Sequence, residues 1–148
     1  MHNAGGDGAY SETARPEADR EEAMRLVWVA VGGAIGSACR YLLDGAVYRV
    51  VPATFPYGTF VVNATGCLIF GLLIGVAENR LAVGTVARSF VLIGILGGFT
   101  TFSSFTFETL QLARAGEWWP ATVNVVGQVV IGLLLMWLGF VLTRAGQP

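Results

Sequence analysis

Polar side chains are scarce in this chain, and those inside its long apolar stretches are the first candidates for chemistry, because a polar group at membrane depth is costly. The densest run is Gly94-Ile95-Leu96-Gly97-Gly98-Phe99-Thr100-Thr101-Phe102-Ser103-Ser104-Phe105-Thr106-Phe107-Glu108. Two adjacent glycines followed by five hydroxyl residues make a poor continuous helix. Broken membrane helices occur where released backbone groups meet an ion or line a cavity. A break at Gly97–Thr101 would leave main-chain carbonyls facing inward, a donor set suited to a hard cation such as Na⁺. Phe102 and Phe105 are three apart and share a helix face. The positive edges of their rings could border the path of a small anion, although an aromatic stripe also serves plain packing.

Other polar groups repeat at helical spacing. Thr59 and Asn63 lie one turn apart on one face, where an O–H and two N–H donors could hold an anion or join two helices. Arg40 sits within reach of an interface, either as an anchor and partner for Asp44 or as a fixed charge drawing anions into a vestibule. Glu108 lies one turn after Phe105 near the end of the third helix, and is either an exposed interfacial carboxylate or part of a pore lining. Asn124, Gln128 and Gly132 recur every four residues and make a polar strip on an otherwise apolar helix.

Four helices must carry these residues. A crossing helix needs about 20 apolar residues, and Val50–Ala77, Ser89–Phe107 and Trp118–Thr143 contain no charge at all. A fourth apolar stretch starts at Leu26 once Arg40 is accepted. The expected spans are 26–47, 57–77, 89–112 and 119–142, one membrane domain over 26–143 with a short tail at 144–148. Residues 1–25 hold six acids, three arginines and few apolar residues, and are expected to be a disordered leader. The steps Gly32–Gly36, Gly71–Gly75 and Gly94–Gly98 allow close helix approach within or between subunits.

Composition closes off the alternatives. The chain has 148 residues, 54% of them apolar and 13% charged, with 20 glycines. So few charges cannot cover a soluble surface, which excludes a soluble enzyme and a disordered chain. The one histidine is His2, so histidine chemistry has no material, and Cys39 and Cys67 read as small packing residues. No G-x-x-x-x-G-K-[ST] loop is present, so no nucleotide site is expected, and no nucleic-acid partner either. Arg25, Arg80, Arg88 and Arg144 fall on one side of the spans, Arg49 and Arg114 with Arg40 on the other. So slight a bias suits a chain that inserts both ways and pairs antiparallel, and also an ordinary protein with its N-terminus inside.

Three segments resemble one family. Gly32-Gly33-Ala34-Ile35-Gly36-Ser37-Ala38-Cys39-Arg40-Tyr41 is similar to the first-helix motif of the CrcB/Fluc fluoride channels. Tyr57-Gly58-Thr59-Phe60-Val61-Val62-Asn63 with Gly66 is similar to their second, and Gly97-Gly98-Phe99-Thr100-Thr101-Phe102-Ser103-Ser104-Phe105 with Glu108 to their third. The resemblance covers about residues 26–143. It implies an antiparallel, dual-topology homodimer in a bacterial cytoplasmic membrane, with a structural Na⁺ at its centre held by the main-chain carbonyls of Gly97 and Thr100. It further implies Phe102 and Phe105 beside fluoride, Asn63 donating to it, Thr59, Ser104 and Glu108 lining the route, and Arg40 at the vestibule. On the fourth helix family members tend to carry Tyr or Asn and then Ser, whereas this chain has Asn124 and Gln128. The function so implied is passive export of cytoplasmic fluoride. The alternative is a proton-coupled small multidrug transporter, for which Glu108 is the only candidate coupling carboxylate.

Overall fold

The computed structural model describes residues 9–79 and 84–144. Helix α1 spans Ala9–Val47, α2 Tyr57–Asn79 and α3 Thr85–Arg88. A π-helical segment follows at Ser89–Leu96, then α4 at Gly97–Phe99, α5 at Phe102–Arg114 and α6 at Trp118–Arg144. Four stretches are long and apolar enough to cross a membrane: Glu17–Val47, Tyr57–Ala77, Val86–Arg114 and Trp118–Arg144. The chain is therefore an all-helical, multi-pass membrane protein.

Two boundaries differ from expectation. Residues 9–25, expected to be a disordered leader, are helical and continue into the first span. Their low hydrophobicity rules out a packed core of their own but not a helix. Ala, Glu and Arg are good helix formers, and the adjoining span supplies the costly nucleus. Arg25 also bonds Glu21 one turn away at 3.4 Å. The second is the extent of the interruption expected over Gly97–Thr101, which covers only the end of that stretch. Gly97 and Gly98 are helical, and the extended residues are Thr100 (φ −77°, ψ 154°) and Thr101 (φ −144°, ψ 108°). The expected connector residue Arg80 and the tails 1–8 and 145–148 lie outside the described residues.

The glycines are consumed by helix approach. A Cβ on Gly36 would collide with the Ile95 carbonyl, and one on Gly98 would stand 2.5 Å from the Gly33 carbonyl oxygen. These contacts press α1 against the Ser89–Leu96 segment and α4. A Cβ on Gly71 would strike the Met136 carbonyl, and one on Gly139 would lie 2.5 Å from that of Leu68, which joins α2 to α6. Small residues let backbones meet this closely, and in lipid such packing replaces the hydrophobic drive that water supplies elsewhere. Two glycine-stitched helix pairs result, with Val62 and Asn124 as the most completely buried large side chains.

Candidate functional site

The polar residues converge where the third span is extended. Thr101, at 7% exposure, caps α5, its hydroxyl oxygen accepting from the Ser104 N–H at 3.3 Å. Its main chain is gripped from α2. The Thr101 N–H donates to Asn63 Oδ1 at 2.9 Å, and Asn63 Nδ2 donates to the Thr101 carbonyl at 3.2 Å. The Asn63 amide thus supplies the partner that the Thr101 N–H lacks outside a helix and adds a second donor to the Thr101 carbonyl. In a continuous helix the Thr101 N–H would bond the Gly97 carbonyl. Here it is turned to Asn63, and the extended Thr100 directs its own carbonyl away from the helix axis.

From Asn63 a chain of amides crosses to α6 and returns to α5. Asn63 Nδ2 donates to Gln128 Oε1 at 2.7 Å, Gln128 Nε2 to Asn124 Oδ1 at 2.9 Å, and Asn124 Nδ2 to Thr109 Oγ1 at 2.8 Å. Thr109 donates in turn to the Phe105 carbonyl at 2.8 Å. Gln128 is long enough to reach α2. Sequence reasoning missed Thr109, although it lies one turn after Phe105 on a hydroxyl-rich helix.

Three cavities adjoin these groups. A vestibule of about 280 Å³ is lined by Ser37, Arg40, Tyr41, Asp44, Thr59, Val62, Thr101, Ser104 and Glu108. A second, of about 250 Å³, is lined by Asn63, Gly66, Cys67, Phe70, Thr100, Thr101, Phe102 and Met136, so Thr101 is a wall common to both. A third, of about 300 Å³, lies at the first connector, with Tyr48, Pro56 and Gln111 among its walls, and shares Glu108 with the vestibule. The Thr59 hydroxyl donates to Glu108 Oε1 at 2.6 Å, while buried Oε2 has no hydrogen-bond partner among the described residues. Burial pushes the Tyr48 phenol above its ordinary range; a backbone hydrogen bond at Gly58 opposes it, and Glu108 and Asp44 add smaller upward pushes. Tyr48 is therefore a neutral hydroxyl at physiological pH.

Most of the sequence-derived residues meet here. Arg40, Thr59, Ser104 and Glu108 share the vestibule, and Asn63, Asn124 and Gln128 form the amide chain. Arg40 and Asp44 line the same space, and among the described residues no ion pair joins them. Phe102 and Phe105 pack with centroids 5.5 Å apart and planes at 50°, but Phe102 is 76% exposed, so one chain leaves this ring largely uncovered. Among the described residues no cluster of His, Cys, Asp or Glu could hold a metal.

Comparison with known proteins gives this arrangement a context. The profile of a family described as CrcB-like protein, Camphor Resistance (CrcB), matches residues 27–140. A fluoride-specific ion channel FluC of Nitratidesulfovibrio vulgaris (strain Miyazaki F) is 47% identical over 116 residues, 78% of this chain and 94% of the relative. One from Nitrosococcus oceani is 43% identical over 121 residues, 82% of this chain and 97% of that relative. A third, from Opitutus terrae, is 47% identical over 117 residues, 78% and 89% of the two chains.

Proposed function

The chain belongs to the CrcB family, and from that premise we propose that it is a fluoride-selective channel that lets cytoplasmic fluoride leave down its electrochemical gradient and so confers fluoride resistance. It is a channel and not an enzyme. The observation that carries this reading is the neutral donor array around Thr101, set between a vestibule bordered by Arg40 and a second cavity bordered by Phe102.

Fluoride is small and tightly hydrated, so a selective path must replace water with donors as the ion is stripped. Arg40 raises the anion concentration in the vestibule without standing at its far wall. Ser104, the Thr101 hydroxyl and Asn63 offer N–H and O–H groups without a full charge that would trap the ion. Several weak sites in succession permit release. Thr59 spends its proton on Glu108, which positions that carboxylate between the vestibule and the connector cavity. Phe102 and Phe105 present ring edges beyond Thr101, where a partly desolvated anion passes.

The working unit is an antiparallel, dual-topology homodimer in the bacterial cytoplasmic membrane. Two observations favour a dimer: the exposure of Phe102, and an α5 without a single buried residue. The carbonyls of Gly97 and Thr100 fit a Na⁺, being hard oxygen donors released from helical bonding by Asn63 and by the extended Thr100. The bound ion supplies a fixed positive potential at the subunit junction.

The test is ion efflux from liposomes carrying the purified protein, followed with fluoride and chloride electrodes. Rapid fluoride efflux with little chloride leak is expected. Phe102→Ile or Phe105→Ile should lower it by about tenfold, the worth of one favourable ring contact at a constriction. Equal chloride efflux, or none of either ion, would sink the channel. Proton-coupled uptake of a cationic dye would indicate a multidrug transporter working through Glu108.

A further inference from the structure

The amide chain from Asn63 to Thr109 has one polarity, and the Thr101 backbone imposes it. The Thr101 N–H can only donate and its carbonyl can only accept, so Asn63 must show Oδ1 to the first and Nδ2 to the second. The remaining Nδ2 hydrogen then faces Gln128, which must answer with Oε1. Gln128 Nε2 is thereby turned to Asn124, and Asn124 Nδ2 to Thr109. Both hydrogens of Asn63 Nδ2 are spent on protein acceptors, so an anion reaching this amide must take the place of Gln128 Oε1.

That exchange has a well-defined counterpart. If Gln128 turns its amide over, Asn124 can turn as well, giving Nδ2 to Gln128 Oε1 and Oδ1 to the Thr109 hydroxyl, which leaves the Phe105 carbonyl. Asn63 Nδ2 and Gln128 Nε2 then face each other, two donors with no acceptor between them, and move apart to leave a gap. The four side-chain bonds from Asn63 to Phe105 fall to two, and an acceptor seated in the gap restores two more. Without an anion the reversed chain is unfavourable. With one it is satisfied by charge-assisted bonds, which are stronger than neutral ones.

We propose that Gln128 is a second fluoride ligand, brought to bear by reversal of the Gln128–Asn124–Thr109 chain so that its Nε2 and Asn63 Nδ2 grip the same ion. This rests on the fluoride-channel reading and adds to it a ligand that a serine at this position, being too short to bridge α6 and α2, would not supply. Both donors are neutral, and the bond they replace, from Asn63 Nδ2 to Gln128 Oε1, is 2.7 Å long, so the two side chains must part less to admit a small anion than to admit chloride.

Two measurements test it. The first uses wild-type protein labelled with ¹⁵N at glutamine side chains, in lipid bilayers, titrated with sodium fluoride and with sodium chloride. The Gln128 side-chain signal, identified by its loss in Gln128→Met, should shift with fluoride and not with chloride. The second is liposome efflux by Gln128→Met, a substitution of similar length that cannot donate, which should lower fluoride efflux by about tenfold or more. If Gln128 only obstructs Asn63, the methionine variant will conduct as well as the wild type or better, and the proposal falls. Wild-type fluoride efflux without a Gln128 shift also overturns it while leaving the channel standing. A wild type that passes no fluoride overturns both readings.

Discussion

The third span is two structures in one. Its first half, Ser89–Leu96 with Gly97–Phe99, is apolar, buries Gly94, Leu96 and Phe99, and is pressed so closely on α1 that no side chain fits at the contacts. Its second half, Phe102–Arg114, buries no residue and is tied to its neighbours by hydrogen bonds, directly to Thr59 and Asn124 and through its cap Thr101 to Asn63. Shape holds the first half and directional polar contacts hold the second. A segment held by bonds that can be exchanged for bonds to an ion is suited to a path. A segment held by backbone-to-backbone contact is suited to be the wall it rests on.

Substitutions should separate the halves. Gly98→Val places a Cβ 2.5 Å from the Gly33 oxygen and 2.9 Å from its Cα, both backbone atoms that cannot swing aside. It should cost about 3 kcal/mol or more and leave no monodisperse protein in detergent, as read by size-exclusion chromatography and thermal unfolding. Asn63→Ala should leave assembly intact, because the first half does not use it, yet lower fluoride efflux by about a hundredfold as Thr101 and Gln128 lose their partners. A variant that misfolds instead would place Asn63 in the wall and blur the contrast. Thr101→Val keeps volume and removes the cap, which should cost about 1 kcal/mol in thermal unfolding and a smaller part of the efflux than Asn63→Ala. Gly116 lies beyond both halves at φ 81°. Gly116→Ala should cost about 1 kcal/mol from left-handed strain and leave efflux unchanged.

The sequence made the outer frame readable and left the pairings hidden. Charge-free stretches locate the spans, since the bilayer demands a length that composition must meet, and Asn63, Ser104 and Glu108 stand out because hydrocarbon penalises them. What each touches depends on where α6 lies against α2, and no local pattern encodes that. Gln128 departs from the serine expected at its place, yet it is the link between Asn63 and Asn124. Propensity alone places a break over Gly97–Thr101. The tertiary contact with Gly33 holds Gly98 helical, and the extended backbone is confined to the two threonines at the end of that stretch, where Asn63 and Ser104 meet the polar groups of Thr101.

The length of α1 has a consequence of its own. Its 39 residues make a rod of about 58 Å, roughly twice the thickness of the hydrocarbon layer. Nearly half of it stands beyond the region shared with the family, which begins at residue 27. The chain thus carries a charged mast on one end only. A membrane populated by chains of both orientations would be flagged on both faces, whereas a single orientation would flag only one.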